Sequence, residues 1–458
     1  MITKKHKVSH NIASNSIYAS RYDLDDLLLT KFGENGMPAK VAKQFIEDEL
    51  CLEGKPILNL ASFVTTWMEP EANELIMQCI NKNVIDHDEY PQIQKIHARC
   101  VHILADLLHA DADNYAGTAT VGSSEAIMLA GLAHKFSWRN RRHAQGLDGS
   151  KPNIIMGGNV QVCWEKFARY FDVEPRIIPL KTGCYFITAQ DVEPLIDENT
   201  IAVATILGTT YTGEYDEIEE INDLLVRIKN EKGMDIPMHV DAASGGFISM
   251  FIDDGIQWDF RLEQVKSINL SGHKYGLVYP GIGWLMFKDE SIIPDDLVFN
   301  INYLGGLMPS YTLNFSNGSA MIIAQYYNFL RLGKGGYRKI VKNMMKVSEV
   351  IANGLIDTGK FILLGTRRME PVITVSLKDN TKYSIFDISK ALRAYDWIVP
   401  AYTMPENAHE VEAARVVVKE NMSLTLAQDF LNAVNMVLEE LEGKPSKLSR
   451  RTHGKYLR

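Results

Sequence analysis

Short apolar runs alternate with amphipathic stretches through the middle of the chain. The apolar runs predict six strands, Asn153–Met156, Arg176–Leu180, Ile201–Leu207, Pro237–Ala242, Ser267–Leu270 and Gly283–Phe287. Strands separated by helical patterns in this way are typical of a mainly parallel sheet with crossover helices. The pattern therefore predicts an α/β domain between Asn153 and Asp289.

Helical spacing of apolar residues prevails on both sides of this region. It predicts helices between Ala39 and Leu52, between Tyr90 and Ala110, and from Ser319 to about Gly359. The strands and helices that follow are typical of an α+β unit: Pro371–Leu377, Ser384–Asp396, Arg415–Lys419 and Thr425–Glu442. We therefore predict a helical arm (1–57), a large domain (58–346), a small C-terminal domain (347–443) and a basic tail (444–458). The tail is either solvated or a lid or partner-binding peptide.

Composition and charge narrow the function classes. The chain has 458 residues, of which 46 % are hydrophobic and 23 % charged, as in an ordinary globular protein with more than one packed unit. A formal charge of −9 argues against nucleic acid as a partner, because neutralising phosphates requires a basic surface. The 5 cysteines lack paired spacing and indicate reduced thiols in the cytoplasm rather than disulfides or a metal site. No run approaches the ~18 apolar residues that a membrane span requires.

A lysine stands at the end of one predicted strand, in the segment Ser-Gly-His-Lys-Tyr-Gly (271–276). A partly buried lysine is costly unless it has a task, and imine formation with an aldehyde cofactor is such a task because it needs a deprotonated amine. Taken alone, a lysine in this position is more often a surface residue of a loop that leaves the strand. Its neighbouring motifs decide between these interpretations.

An aspartate ends another predicted strand, in the segment His-Val-Asp-Ala-Ala-Ser-Gly-Gly (239–246). Ligands of open α/β sheets gather at the carboxyl ends of strands, and a carboxylate there can keep a pyridine nitrogen protonated. The alternative is that Asp241 caps a helix or belongs to a turn. The lysine that follows in a similar position favours the cofactor interpretation.

A third motif combines glycines and hydroxyl groups before a helix, in Gly-Thr-Ala-Thr-Val-Gly-Ser-Ser-Glu-Ala (117–126). Free N–H groups and the positive end of the helix dipole would hold a phosphate there. The alternative is an ordinary serine cap, with Glu125 merely favourable in the first helical turn.

Together these motifs resemble those of the pyridoxal-phosphate glutamate decarboxylases of bacteria and plants. The resemblance runs from about Ser16 to Glu442 and includes Asn-Leu-Ala-Ser-Phe (59–63), Asn-Lys-Asn (81–83), Tyr-Leu-Gly-Gly (303–306) and Asn-Phe-Ser (314–316). It implies an α/β fold of the fold-type I pyridoxal-phosphate class, with a mainly parallel central sheet in a large domain and a small α+β C-terminal domain. It also implies pyridoxal 5'-phosphate as cofactor.

The family's cofactor contacts can be carried over residue by residue. The resemblance implies that Lys274 binds the cofactor as an imine, Asp241 pairs with the pyridine nitrogen, and Ala243 and Gln161 cover the two ring faces. The remaining implied contacts are Thr210 beside the ring, and Ser123, Ser124 and His273 at the phosphate, with Ser316 arriving from a neighbouring subunit. The active site would therefore be shared across a homodimer, and a hexamer of dimers is a further possibility.

The resemblance also implies a site for glutamate. It assigns Arg415 to the α-carboxylate, and it assigns Ser62, Phe63, Asn83 and Asp86 to the distal carboxylate. Arg415 could instead be a structural ion-pair partner in its strand, and Asn83 and Asp86 could cap or turn a loop.

The implied activity is the decarboxylation of L-glutamate to 4-aminobutanoate. We hypothesise that Tyr303 belongs to a lid near the proton-transfer step, across the dimer interface. Two alternatives remain open at this point. One is a related pyridoxal-phosphate enzyme with another substrate, and the other is a non-catalytic protein that keeps only the fold.

Overall fold

The computed structural model describes residues 36–252, 255–302, 308–365 and 369–443. Tyr303 and the basic tail (444–458) lie outside the described residues. The chain divides into two compact units, residues 1–55 and 56–458. In the first unit the described residues form helix α1, Ala39–Leu50, where apolar spacing predicts a helix.

The second unit contains the other helices and all the strands that the structure describes. Its helices are α2 (Pro70–Cys79), α3 (Pro91–Leu107), α4 (Ser123–Ala144), α5 (Val162–Tyr170), α6 (Ala189–Val192), α7 (Ile218–Lys232), α8 (Gly246–Ser249), α9 (Ala320–Asp357), α10 (Ile385–Leu392) and α11 (Leu424–Leu441). Its strands are β1 (Ala116–Thr120), β2 (Asn153–Gly157), β3 (Glu174–Ile178), β4 (Thr200–Ile206), β5 (Met238–Asp241), β6 (Val265–Leu270), β7 (Gly283–Phe287), β8 (Phe299–Ile301), β9 (Met308–Ser310), β10 (Phe361–Leu363), β11 (Val372–Leu377), β12 (Ala401–Thr403) and β13 (Glu412–Val417).

The large sheet has seven strands in the order β1-β7-β6-β5-β4-β2-β3. Strand β7 runs antiparallel to both of its neighbours, and the pairs from β6 to β3 are parallel. All six strands predicted from the apolar runs are present, and the mainly parallel sheet is confirmed.

The first strand of the sheet was not predicted. The motif at 117–126 predicts a phosphate cradle, but residues 117–120 of it form β1, paired with β7 at the sheet edge. The segment has no apolar run because it must pass close to its neighbour: a Cβ on Gly117 would lie 2.6 Å from Met286 Sδ. The phosphate cradle can therefore begin only after Thr120.

Two helical layers enclose the large sheet. Helices α4 and α5 cover one face over a core that includes Trp164 and Phe167, while α3, α7 and α9 cover the other face. Both layers bury apolar side chains against the sheet, so its two faces are covered.

A smaller antiparallel sheet, β10-β11-β13-β12, packs with α10 and α11 near the C-terminus. Helix α9 leads to it and is interrupted at Gly333, whose backbone is not helical (φ 56°, ψ −179°). The segment before Ser62 lies along this small sheet, because Val417 N–H donates to the Leu60 carbonyl over 2.9 Å. This contact brings residues 61–63 to the small sheet near Arg415 on β13. Among the described residues, no helix is long and apolar enough to cross a membrane.

Candidate active site

A cavity of about 340 Å³ lies where β4, β5 and β6 end. It is lined by eight of the nine residues predicted to bind the cofactor: Ser123, Ser124, Gln161, Thr210, Asp241, Ala243, His273 and Lys274. These residues come from five separate stretches of sequence. They meet because the carboxyl ends of parallel strands share one edge of the sheet. The described residues contain no group of three or more His, Cys, Asp or Glu side chains suited to a metal ion.

Lys274 is held by its backbone and has a desolvated amine. Its carbonyl accepts a hydrogen bond from Thr65 Oγ1 over 2.7 Å, and its Nζ lies 5.1 Å from the centre of the Phe63 ring. Burial lowers the pKa of Lys274, and the positive charge of Arg415 lowers it further, whereas the charge of Asp241 acts in the opposite direction. A lowered pKa makes more of the amine available as a nucleophile.

Asp241 is only 4 % exposed and accepts three hydrogen bonds. Trp164 Nε1 donates to Oδ2 over 3.0 Å, Asn269 Nδ2 donates to Oδ1 over 2.8 Å, and the Ala243 N–H donates to Oδ1 over 3.2 Å. Three donors satisfy most of the carboxylate's lone pairs and leave room for one more donor from the cavity. A pyridine N–H is a donor of the required kind.

The start of α4, in the glycine and hydroxyl motif at 117–126, forms an anion site. Ser123 and Ser124 are its first residues, and Ser123 Oγ lies 2.7 Å from Ser271 Oγ. The free N–H groups of a helix start favour a phosphate at this position. His273 lies beside it with Nδ1 2.8 Å from the Ile282 carbonyl, and burial lowers the pKa of His273.

Glu125 does more than place a charge in the first turn of α4. Its Oε2 accepts from the Val121 N–H over 2.8 Å and its Oε1 accepts from the Leu313 N–H over 3.0 Å. The side chain is 5 % exposed. Glu125 therefore ties the phosphate cradle to the segment after β9.

Phe63 lies close to both Lys274 and Arg415. The centre of the Phe63 ring lies 5.1 Å from Lys274 Nζ and 5.1 Å from Arg415 Cζ. Arg415 donates to the carbonyls of Thr210 and Ala61, the latter over 2.8 Å. It makes no ion pair with a carboxylate among the described residues, so the interpretation as a structural ion-pair partner finds no support. Ser62, next to Phe63, uses its Oγ to accept from the Val64 N–H over 3.1 Å.

Six other predicted residues do not line this cavity: Ser62, Phe63 and Arg415, and also Asn83, Asp86 and Ser316. Asn83 Nδ2 lies 3.5 Å from Ser316 Oγ, and Asn83 Oδ1 accepts from the Asn317 N–H over 3.1 Å. The carbonyl of Asp86 accepts from the Tyr90 N–H over 2.8 Å. Within one chain, Asn83, Asp86 and Ser316 thus belong to a loop contact apart from Lys274.

Several polar residues of the site are not among those that the sequence motifs predict. Asn269 could have been noticed, because polar residues alternate with apolar ones in a strand that is otherwise buried, Ser267-Ile268-Asn269. Trp164 offers no comparable signal. Glu370, just before β11, is 1 % exposed, and burial raises its pKa to about 8 against the opposing effect of the Lys274 charge. A lone charge before an apolar strand does not reveal such a position.

The cavity fits pyridoxal phosphate. It presents an amine of lowered pKa, a carboxylate with room for one further donor, and a helix start for a phosphate within one enclosed space. These are the groups that an aromatic aldehyde with a basic ring nitrogen and a phosphate requires.

Comparisons with known proteins agree with this fit. Residues 35–378 match the pyridoxal-dependent decarboxylase conserved domain. The chain is 49 % identical to a glutamate decarboxylase of Petunia hybrida over 452 residues, 98 % of this chain and 90 % of that protein. It is 40 % identical to glutamate decarboxylase beta of Listeria innocua over 446 residues, 96 % of each protein.

A solved structure gives the same result for the fold. The glutamate decarboxylase of Lactobacillus brevis superimposes with a TM-score of 0.90 at 39 % identity, covering 94 % of this chain and 99 % of that one. The large mixed sheet and the small antiparallel sheet are accordingly a fold-type I architecture, as the resemblance implied. The chain therefore belongs to the family of pyridoxal-dependent decarboxylases.

Proposed function

We propose that this protein removes the α-carboxylate of L-glutamate, giving 4-aminobutanoate and carbon dioxide, with pyridoxal phosphate bound through Lys274. The observation that carries the proposal is that Lys274, Asp241 and the start of α4 line a single cavity. The relatives that cover nearly the whole chain at 40 to 50 % identity are glutamate decarboxylases, which supports glutamate as substrate.

Each group of the cavity has a part in binding the cofactor. When bound, pyridoxal phosphate supplies an aldehyde for an amine and a protonated ring that accepts the electron pair released at the substrate α-carbon. Lys274 provides the amine, and its lowered pKa favours the nucleophilic form. Asp241 would accept from the ring N–H, while Ser123, Ser124 and His273 would hold the phosphate. Gln161, Ala243 and Thr210 enclose the ring.

Arg415 and Phe63 are proposed to orient the substrate. Arg415 is 9 % exposed, and its Nε is buried without a hydrogen-bond partner among the described residues. A substrate carboxylate can accept from such a donor, which fixes the bond to be broken relative to the ring. Phe63 limits the space between Arg415 and Lys274 and keeps water from the reacting carbon.

A homodimer with shared active sites completes the proposal. Ser316 and Asn83 lie within 3.5 Å of one another and apart from the cavity of their own chain. We infer that they serve the cavity of a second copy, where Ser316 meets the phosphate and Asn83, with Asp86, meets the distal carboxylate. Ser62 would approach that carboxylate from the same chain as Lys274.

Mixing two inactive variants tests the shared site. Lys274→Ala removes the amine of one chain, and Ser316→Asp places a negative charge where the phosphate of the other chain would lie. If the site is shared, each mixed dimer contains one intact site out of two. Because about half of the dimers are mixed after random exchange, the whole mixture recovers about a quarter of the original activity. No recovery on mixing would show that Ser316 acts within its own chain.

The activity itself is tested by product analysis. Decarboxylation of glutamate consumes one proton and releases one carbon dioxide, so both 4-aminobutanoate and proton uptake are measured. We expect a visible cofactor band that disappears in Lys274→Ala. In the original chain, we expect one proton to be taken up for each 4-aminobutanoate formed. A cofactor band without glutamate turnover, but with turnover of another amino acid, would favour the alternative of a related decarboxylase.

A cytoplasmic location belongs to the same proposal. All five cysteines are free thiols, and Cys79, Cys100 and Cys163 are buried. Free thiols are maintained in reducing compartments.

A further inference from the structure

A row of buried polar side chains leads away from Asp241 beneath the cavity. Strands β5 and β6 are parallel neighbours, with His239 paired to Ser267 and Asp241 paired to Asn269. Residues two apart in a strand point to the same face. All four side chains therefore face α4, from which His134 reaches down. We call His134, Ser267, His239, Asn269 and Asp241 the polar chain.

Each link of the polar chain is a short hydrogen bond. His134 Nε2 lies 2.7 Å from Ser267 Oγ, and Ser267 Oγ lies 2.7 Å from His239 Nδ1. His239 Nε2 lies 2.7 Å from Asn269 Oδ1, and Asn269 Nδ2 lies 2.8 Å from Asp241 Oδ1. The five residues are at most 4 % exposed, so water does not compete for these bonds.

The chemistry of the donors determines the direction of the two links nearest Asp241. A carboxylate only accepts, so Asn269 must face Asp241 with its NH₂ group and face His239 with its oxygen. An amide oxygen also only accepts. His239 must therefore carry a hydrogen on Nε2.

The remaining links follow from the charge state of the two histidines. Burial lowers the pKa of His239 to about 4 and moves the pKa of His134 to about 3, so both rings are neutral near neutral pH. Neutral His239 then has a bare Nδ1, which accepts the single hydrogen of Ser267. Ser267 in turn accepts from Nε2 of His134. Every donor in the polar chain points toward Asp241.

We propose that His134, Ser267, His239 and Asn269 are positioning residues that hold Asp241 as a fixed acceptor for the cofactor's ring nitrogen. Only the identity of that ligand rests on the proposed function. A row of aligned N–H and O–H dipoles with positive ends toward the carboxylate stabilises its charge, and each bond strengthens the next. The arrangement also prevents rotation of the Asn269 amide, which would turn an oxygen toward Asp241.

The surroundings of the two histidines support this direction. His134 faces the positive charges of Arg141 and Lys266 and the ring of His239, and all three lower the pKa of His134. Burial lowers the pKa of His239 although the Asn269 hydrogen bond and the Asp241 charge act to raise it, and Trp164 packs edge-on against the His239 ring with centroids 5.2 Å apart. Burial together with these charges keeps His134 neutral, and its Nε2 carries the hydrogen because Ser267 already donates its own hydrogen to His239.

The first test uses the unmodified chain without cofactor and therefore does not depend on the proposed function. Nitrogen NMR of protein labelled with ¹⁵N-histidine distinguishes protonated from bare ring nitrogens. We expect His134 and His239 to be neutral, with hydrogen on Nε2 and a bare Nδ1, from about pH 6 to about pH 8. The signals are assigned with His134→Gln and His239→Gln. Hydrogen on Nδ1 of His239, or a charged ring, would overturn the proposal.

The second test uses the holoenzyme loaded with cofactor labelled with ¹⁵N in the ring. His239→Leu removes the donor to Asn269, whereas His239→Gln keeps both an NH₂ donor and an oxygen acceptor. We expect the pH at which the ring nitrogen loses its proton to fall by about one unit in His239→Leu and to be restored in His239→Gln. If His239→Leu does not fold, Ser267→Ala is measured in its place, with the same expected direction.

Thr205→Val is the matched control for these variants. Thr205 is also a fully buried hydroxyl of the same sheet; it pairs with Val240, so its side chain lies on the opposite face from the side chains of the polar chain and donates to the backbone carbonyl of His239 over 3.3 Å. Thr205→Val should leave unchanged the pH at which the cofactor's ring nitrogen loses its proton. The positioning role would be refuted if the pH at which the ring nitrogen loses its proton were unchanged in His239→Leu, or if Thr205→Val changed it equally. Failure of the unmodified protein to bind the cofactor would instead refute the proposed function.

Discussion

Glu370→Gln is the most informative single change outside the polar chain. Glu370 lies against two backbone glycines of the cavity wall: a Cβ on Gly208 would lie 1.6 Å from its Oε1, and one on Gly245 would lie 2.9 Å away. Neither carboxylate oxygen has a hydrogen-bond partner among the described residues within ordinary geometry. Burial accordingly raises the pKa of Glu370 to about 8, while the Lys274 charge and the Ser244 hydroxyl act against the rise.

The magnitude follows from the shift of this pKa. Each unit corresponds to about 1.4 kcal/mol, so a rise from 4.5 to about 8 corresponds to roughly 5 kcal/mol. Because the pKa is higher in the folded state, the folded protein binds more protons than the unfolded one between these two values. The stability that protonated Glu370 contributes to the folded protein is therefore fully present below about pH 4.5 and is lost as the pH rises through about 8.

The assay is urea unfolding of the cofactor-free protein at mildly acid and mildly alkaline pH. In Glu370→Gln the group cannot ionise, so we expect the variant to lose much less stability than the original chain as the pH rises. The exposed Glu71→Gln serves as a control and should leave the pH dependence unchanged. An identical pH dependence in Glu370→Gln and the original chain would refute the reasoning.

Three further changes follow from individual contacts. Arg415→Lys keeps the charge but loses the forked contacts to two backbone carbonyls, so kcat/KM for glutamate should fall about 10- to 100-fold while the cofactor band is retained. Asp216→Asn replaces a buried acceptor of two backbone N–H groups and the Asn159 amide with a group that also donates. It should cost about 2 to 4 kcal/mol in urea unfolding, and an unchanged midpoint would contradict this. Gly208→Ala places a Cβ against Glu370 at a backbone φ of +99°, so we expect loss of cofactor binding even if the chain folds, measured by the visible band.

Much of the site was predictable because its residues stand in local patterns. Lys274 and Asp241 each follow an apolar strand, and Ser123 and Ser124 begin a helix after glycine. The rule that strands of a parallel sheet end on one edge then brings these motifs together without further information. The roles of the individual residues, the boundary between large and small domains and the dimer remain predictions.

Other features have no local pattern and required the structure. Glu370 is distant in sequence from Lys274, and only the packing of the small sheet against the large one makes it a buried carboxyl. Asn83 and Ser316 were assigned to the active site by resemblance, yet in a single chain they contact each other instead. Contacts between distant segments depend on packing, which one sequence does not display.

The sequence by itself determined six of the seven strands of the large sheet, its mainly parallel character and the three motifs at its edge, because strand periodicity and glycine-rich turns are properties of neighbouring residues. The tertiary structure alone decided which polar atoms are buried away from water and which hydrogen-bond donors face them. It therefore decided the direction of the polar chain beneath Asp241 and the elevated pKa of Glu370. Burial and hydrogen-bond partners arise only when segments far apart in the chain pack together, and these two properties set the charge state of an ionisable group.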